Sequence, residues 1–504
     1  MKKLNFDDNR TGVVTDLRFC ELELASWISG PMRKKQLEAE KYYRGIQDIF
    51  KKKRTLIDSK GNEHLLKNLP NNKVVNNMYA KLVDQITNFE MGQPIAFDTD
   101  LSRTTGQELA KQLSLIFGKQ TLRTLKKVTR HAVNEGISWL YLWPDKENGT
   151  LGFSLFPAYE ILPEWADDEH KELDCAMRYY TTSDYDEYGV KKETEHVEVF
   201  DGNGVHRFLY KDGSLTPDGD TPTMPYLQVK VGQNYEGYNW IKCPLVPFRR
   251  SDLEETLLSK CKELVDALNL MLSVLLDALQ ENAQGIRLVI KNYDGTDLDS
   301  FIHNMVSTNI ILVHSTPEGD GGVETLEIGV TIENYKFVLD ALKKAIVENC
   351  GGFDAKDDRL GNSPNQMNIA SMYSDMEITA NDLESEFSAS FEQVMWFVKQ
   401  WIKQTGGVKV DESDEKADVI FNRDMMINEK EVIECCSNSE GMISSETIMK
   451  MHPWVDDPKE EMDRMKKEND EAQVQTDNYR NAFEQGRGDQ QAAAKDVTGD
   501  VEEE

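Results

Sequence analysis

The sequence predicts an α+β chain, and three observations carry that expectation. Residues 136 to 248 cluster aromatic and β-branched side chains between turn signals. The flanking residues repeat apolar positions at three- and four-residue steps. The helical stretch that follows is interrupted by a second, shorter β-like insert. The 504 residues leave room for roughly two to four compact units.

In order, residues 32 to 54 read as one polar helix ending in the basic run Lys51-Lys52-Lys53-Arg54. Turn chemistry at Leu69-Pro70-Asn71-Asn72 precedes an amphipathic helix marked by Val75, Met78, Leu82, Val83 and Ile86. A further polar helix is expected from Thr105 to Glu135. Strands follow at Trp139 to Trp143 and Phe153 to Phe156. Val197 to Phe200 and His206 to Tyr210 flank Asp201-Gly202-Asn203-Gly204, a hairpin signal.

From Ser251 the helical period returns through Leu253, Leu257, Cys261, Leu264, Leu268, Leu272, Leu275 and Leu279. It predicts a helix of roughly 30 residues. Leu288-Val289-Ile290 is β-like. The turn Asp294-Gly295, a short helix and a strand at Ile310 to Val313 come next, with Gly319-Asp320-Gly321-Gly322 a loop between strands. A helix is expected over Ile332 to Asn349, stopped by Gly351-Gly352. The polar loop Phe353 to Pro364 leads to a very long helix from Gln366 to Gln404. A strand over Asp418 to Phe421 and short helices near Lys430 to Cys436 and Ser445 to Met451 complete the ordered part. The acidic end, 476 to 504, has too few apolar residues to offset its ordering entropy and is expected to be disordered.

Composition excludes several functions. With 58 basic against 89 acidic residues the net charge is -31, so the chain does not wrap nucleic acid by neutralising phosphates. It could still surround a polyanion without gripping it. The seven cysteines form no C-x-x-C pair, which argues against a disulfide framework or a zinc site and fits a reducing cytoplasm. Leu264 to Leu279 is too short and too polar for a membrane span, with Asp266, Asn269 and Asp277 inside it. No P-loop, H-E-x-x-H, G-x-S-x-G or EF-hand pattern occurs, and the eight histidines are scattered. The acidic cluster Asp411 to Glu415 reads as a solvated face. No cofactor and no catalytic residues are expected.

The order of elements resembles the portal family of tailed phages, in the form found in siphophages of Gram-positive hosts. Near the N-terminus the similarity lies in Tyr42-Tyr43-Arg44-Gly45 and Pro70-Asn71-Asn72-Lys73. In the β-rich part it lies in Asn134-Glu135-Gly136, Phe156-Pro157-Ala158-Tyr159-Glu160 and Met177-Arg178-Tyr179-Tyr180. Val246-Pro247-Phe248 precedes the first long helix as in the family. Leu288 to Gly295 and Gly319 to Leu326 match its insert. The similarity runs from about residue 40 to residue 465. Phe353 to Pro364 departs from it, being more charged than the family's glycine-rich loop.

The resemblance implies a portal-type subunit in a dodecameric ring. Its parts would be an N-terminal arm (1–25), a wing (26–250), a stem helix (251–283), a clip (284–331), a second stem helix (332–350), a tunnel loop (351–364), a long wing helix with a strand (365–425), a crown (426–475) and the acidic tail (476–504). Stem packing would fall to Leu257, Leu264, Leu268, Leu272 and Leu275. A monomeric core helix would show the same stripe, so periodicity alone leaves both readings open. Gly351, Gly352, Lys356, Asp357, Arg359 and Gly361 would face DNA in the channel. Asp294, Gly295, Asp320, Gly321 and Glu324 would form the tip that docks the packaging motor and the adaptor. The implied partners are copies of the chain, double-stranded DNA, the terminase large subunit, a head-completion adaptor, and scaffolding and major capsid proteins, with no membrane. The implied location is a capsid vertex of the virion, after assembly in the host cytoplasm. A monomeric minor head or scaffold-type protein is the alternative within structural proteins. A carboxylate-based nuclease is the alternative of another class, disfavoured because no metal-ligand constellation is visible.

Overall fold

The computed structural model describes residues 1–8, 14–57, 60–67, 69–99, 103–145, 150–231, 234–284, 287–291, 322–326, 332–354, 366–405, 417–423, 429–455, 461–462 and 464–468. Two compact units emerge. One comprises Met1–Asp354 with Tyr373–Asp424, and the other Ala355–Met372 with Met425–Glu504. The architecture is α+β.

The first unit is built around strand β4 (Ile137–Asp145), whose residues Ile137 to Leu142 are nearly all buried. A strand covered on both faces reads as a continuous apolar run rather than an alternation. Its neighbours in a three-stranded antiparallel sheet are β5 (Thr150–Pro157) and β14 (Leu245–Arg249). Helix α5 (Lys119–Glu135) packs on this sheet, where Ser138 donates to the Val128 carbonyl at 2.8 Å. The long helix α8 (Gln366–Thr405) packs against β14. Phe387 and Phe391 meet Phe248 edge-on with centroids 5.0 and 5.4 Å apart, and Ser390 donates to the Pro247 carbonyl at 2.6 Å.

Beside it lies a six-stranded sheet. Its path is β10 (Ser214–Pro217), β9 (Gly204–Lys211), β8 (Lys191–Asp201), β7 (Leu173–Tyr185) and β6 (Ile161–Trp165), with β11 (Thr223–Met224) also on β9. The predicted hairpin is there, with Asp201 opposite Gly204. Period-two alternation splits the strands between two cores. Cys175, Met177, Val197, Val199 and Phe208 face helix α1 (Asp16–Ser29) and its Leu24, whereas Ala176 and Phe200 join the main core. Buried Asp201 ties the turn to the N-terminal arm. It accepts from the backbone N–H of Leu4 and of Asn203 at 2.7 and 2.8 Å, and pairs with His206 at 2.9 Å. Burial alone would raise its pKa; these contacts hold it below the usual carboxylate value.

Three expected helices differ in extent. The helix expected over 32 to 54 is α2 (Pro31–Tyr43), ended where Gly45 turns with φ +77°, followed by a short 3-10 turn at Asp48–Lys51. The helix expected from Thr105 to Glu135 is two, α4 (Thr104–Ile116) and α5, broken at Phe117-Gly118. The helix expected from Ser251 starts later, as α6 (Lys262–Gln284). Residues 251 to 261 form a loop and a 3-10 turn (Leu257–Lys260) because buried Arg250 binds the Glu255 carbonyl and holds the chain in a bend. Leu253 is exposed, and Leu257 is buried in that turn rather than on the helix. Helix α3 (Met78–Met91), helix α7 (Ile332–Asn349) and strand β17 (Ala417–Ile420) fall where expected; β17 pairs antiparallel with β3 (Ala96–Thr99).

In the second unit, α9 (Glu429–Asn438) and α10 (Ser445–Met451) form a small hairpin. Ser444 caps α10 by accepting from the Thr447 N–H at 3.3 Å, and Val432, Ile448 and Met451 line a groove between the two helices. No described helix is long and apolar enough to cross a membrane.

Candidate functional site

The polar residues that interrupt α6 have a definite task. Asp266, Asn269, Ser273 and Asp277 recur at three- and four-residue steps and so form one stripe. The stripe faces the N-terminal segment. Asp266 accepts from the Tyr42 hydroxyl at 2.7 Å. Asn269 accepts from the Asn76 N–H at 2.7 Å, Ser273 from the Val74 N–H at 2.9 Å, and Asp277 from the Asn72 N–H at 2.7 Å. Alternate residues of an extended chain thus meet every fourth residue of a helix. The two spacings nearly match, at about 6.7 Å and about 6 Å. Asp277 also holds the Lys52 ammonium at 2.6 Å and the Asn72 side chain at 2.7 Å. Burial alone would raise the Asp277 pKa, and these donors bring it below the ordinary value.

The α6–α7 hairpin also leaves some apolar side chains in solvent. Leu270, Val274, Leu276 and Leu279 of α6 are exposed, as are Val338 and Phe337 of α7, the last 75% exposed. Of the sequence-predicted stem residues on α6, Leu268 is fully buried, and Leu264, Leu272 and Leu275 are partly buried against the chain's own core. Strands β15 (Arg287–Lys291) and β16 (Gly322–Leu326) pair antiparallel, with Glu324 opposite Val289. Asp294, Gly295, Asp320 and Gly321 lie outside the described residues, as do the strand expected at Ile310 to Val313 and the tail 476 to 504.

At the far end of α7 the chain passes through Cys350, Gly351 and Gly352. Gly351 adopts φ +61°, and a Cβ there would collide with the Thr379 hydroxyl; one on Gly352 would collide with Leu82. Gly351 therefore requires glycine, whereas at position 352 a larger residue would need the Leu82 side chain to move. Phe353 is gripped by α3: Gln85 donates to its carbonyl at 3.0 Å and accepts from its N–H at 3.5 Å. The Phe353 ring stacks on Tyr373 at 4.7 Å, Tyr373 stacks on Phe89 at 5.8 Å, and the Arg423 guanidinium lies 5.9 Å from the Phe89 ring centre. The two ends of residues 354 to 372 are thereby held together. A groove of about 620 Å³ runs beside this column, lined by Lys81, Asp84, Gln85, Phe353, Tyr373 and Met376. Lys356, Asp357, Arg359 and Gly361 lie outside the described residues.

Two buried polar groups went unnoticed in the sequence. Glu90 on α3 is fully buried, and neither carboxylate oxygen has a hydrogen-bond partner; Arg423 stands 4.0 Å away and pairs with Glu384 at 2.8 Å. Burial, then Glu384, pushes the Glu90 pKa up to about 8. Glu40, His131 and Glu135 converge within 4.8 Å, a spacing that could suit a metal. Their atoms are otherwise engaged. His131 Nδ1 meets Glu135 at 2.6 Å while its Nε2 faces the Arg130 guanidinium at 3.1 Å, so Nδ1 carries the proton. Glu135 also accepts from the Ala158 N–H at 2.8 Å, and Glu40 binds Arg44 at 2.6 Å and Asn134 at 3.0 Å. This network joins three of the family-like segments, Tyr42 to Gly45, Asn134 to Gly136 and Phe156 to Glu160, and works as a structural joint.

The apolar side chains left exposed on the α6–α7 hairpin and the Phe353–Tyr373 clamp are features of a structural assembly protein. Comparison with known proteins gives the family. The family described as "Phage portal protein, SPP1 Gp6-like" matches residues 32–475. The portal protein of Bacillus phage SPP1 is 25% identical over 437 residues, covering 86% of this chain and 83% of its own. The portal protein of Clostridium phage phiCD119 is 26% identical over 437 residues, covering 85% and 91%. The chain belongs to the SPP1 Gp6-like family of phage portal proteins, which are structural proteins rather than enzymes. Among solved structures, the neck of an empty gene transfer agent particle overlaps at TM-score 0.39 with 11% identity, covering 74% of this chain and 88% of its own. A native gene transfer agent virion overlaps at 0.38 with 12% identity. Those two superpositions are too distant to assign parts from.

Proposed function

We propose that this portal protein forms a dodecameric ring at one capsid vertex of the virion, and that double-stranded DNA enters and leaves through its centre. The carrying observation is the set of apolar side chains that the α6–α7 hairpin leaves exposed, Phe337 above all, with Leu270, Val274 and Leu279. A patch of this kind on a soluble chain marks an interaction surface, and a closed ring covers it with copies of itself. The family match over 32–475 supports the ring and its position. The net charge of -31 suits a conduit that does not grip its cargo.

Within this reading, residues 284 to 331 are the clip that docks the terminase and later the head-completion adaptor, and residues 351 to 364 line the channel. Scaffolding and major capsid proteins contact the ring in the host cytoplasm. Mass photometry of the purified chain tests the assembly: a large closed oligomer is expected, and a monomer under every salt and concentration would refute it. Asp320→Lys with Glu324→Lys should leave rings that do not package DNA. Lys356→Glu with Arg359→Glu should leave rings that package or retain less; normal packaging by either double variant removes those residues from the assigned role.

A further inference from the structure

Helix α5 concentrates positive charge in a chain whose net charge is -31. Lys119, Arg123, Lys126, Lys127 and Arg130 lie on it, and no acidic residue occurs from Lys119 to Asn134. Glu135, which ends the helix, is buried and held by His131. At about 100° per residue the five cations fall within an arc of about 100° and form one stripe. The opposite side of the helix, through Leu125, Val128 and Ala132, is buried, so packing fixes which way the stripe faces. Lys119, Arg123, Lys126 and Lys127 are exposed, and no described residue forms an ion pair with any of them. Arg130 is half-buried, 5.3 Å from the centre of the Tyr43 ring. Helix α4 shows the contrast: its Lys111 meets Glu108 at 3.1 Å. Among the described residues, none of the large apolar side chains left exposed belongs to α5. The start of the helix adds to the charge. Gly118 at the N-cap supplies no side chain to cap it, so the partial positive charge of the leading N–H groups lies at the same end as Lys119.

We propose that the α5 stripe is a docking site for the phosphate backbone of double-stranded DNA, engaged without regard to base sequence. Charge complementarity favours DNA over an acidic protein. The stripe places five cations in about 16 Å of helix, a length over which one strand of duplex DNA rises past about five phosphates. The buried centre of a protein–protein interface is largely apolar, and the stripe has no such centre. The acidic remainder of the chain limits this contact without abolishing it. At physiological salt a charge is screened over about 8 Å, so distant carboxylates weigh little against cations that touch the phosphates. The contact is therefore local, weak and salt-dependent, and the chain as a whole still does not wrap DNA. The stripe is separate from residues 351 to 364. That the duplex is the packaged genome rests on the reading of the ring as a DNA conduit; the contact itself does not need the ring.

The test is fluorescence anisotropy of a labelled duplex of about 30 base pairs and arbitrary sequence, titrated with the purified full-length chain between about 50 and about 200 mM salt. The parent should bind, and its affinity should fall steeply as salt rises, because counterions leave the phosphates when the cations arrive. Arg123→Gln with Lys126→Gln and Lys127→Gln keeps good helix formers at three exposed positions. It should bind at least about tenfold more weakly at about 100 mM salt, with the slope of log affinity against log salt smaller by about three for each stripe engaged. Should that variant fold poorly, Lys126→Gln alone should lower the slope by about one. Lys191→Gln with Lys192→Gln and Lys211→Gln makes the same change of charge on the six-stranded sheet and should leave affinity within about twofold. A parent that does not bind at about 50 mM salt, a stripe variant with unchanged affinity and slope, or an equal loss in the sheet variant overturns the proposal. So does a stripe variant that binds DNA like the parent but no longer forms rings in mass photometry, which would give the stripe to a neighbouring copy. Rings that bind duplex through the stripe yet package nothing would count against the conduit alone. Rings that package DNA while the parent shows no stripe-dependent binding would count against the stripe alone.

Discussion

The six-stranded sheet and the stem hairpin close their surfaces in different ways. The sheet puts Met177, Val197, Val199 and Phe208 under α1 and leaves none of them exposed. The α6–α7 hairpin attaches to the N-terminal segment through a polar stripe, and its apolar residues Phe337, Leu270 and Leu279 stay open to solvent. Apolar burial is non-directional, so it suits a self-contained fold. Hydrogen bonds fix a direction and register, which here sets α6 along the N-terminal segment. One region closes its apolar surface within the chain; the other leaves Phe337, Leu270 and Leu279 exposed, which the proposed ring would cover.

Four measurements break or sharpen this contrast. Phe387→Ala in the main core should cost about 3–5 kcal/mol, read from denaturant unfolding, because Phe387 is fully buried against Phe248. Asp277→Ala should cost about 2–4 kcal/mol, since it strands the nearly buried Lys52 ammonium and two Asn72 donors. A cost near zero would mean that the polar stripe does not hold α6. Its pH signature follows from the lowered Asp277 pKa: that stabilisation is full above the unfolded value and lost as pH falls through the folded one.

Glu90 behaves oppositely. Its folded pKa of about 8 exceeds the ordinary 4.5, so the native chain keeps a proton that the unfolded chain releases in between. Its contribution is full below about 4.5 and is lost as pH rises through 8. Glu90→Gln should raise stability at pH 8 by about 1–2 kcal/mol and flatten the melting-temperature profile across that window. An unaltered profile would place the titration elsewhere. Smallest in folding terms, Phe337→Glu should change chain stability by no more than about 0.5 kcal/mol, yet shift mass photometry from rings to monomers. A large loss of stability would show that this face is closed within the chain after all.

Legibility in the sequence tracked the range of the cause. Helix α7, the length of α8 and the Asp201–Gly204 turn depend on local periodicity and glycine placement, and all stand where expected. The break at Phe117-Gly118 and the late start of α6 were missed because a continuing apolar period masked them. Asp266, Asn269 and Asp277 were visible only as obstacles to a membrane span. Their partners Tyr42, Asn76 and Asn72 lie some two hundred positions away, and no periodicity reports such pairing. A similar distance hid the burial of Glu90 beside Glu384 and Arg423. Periodicity does not say which neighbour a stripe meets: within the chain, Leu264, Leu268, Leu272 and Leu275 lie in or against the core.

The ladder between residues 72 to 76 and α6 also has a mechanical side. Its three rungs lie across the helix axis, joining two rods that run in opposite directions. A pull along α6 loads all three rungs at once, in shear, and they yield only together. A pull that lifts Asn72 away from the helix loads one rung at a time, and the seam unzips. The attachment is therefore stiff along the helix and weak across it. A rod held in that way transmits thrust along its length while its root remains free to peel.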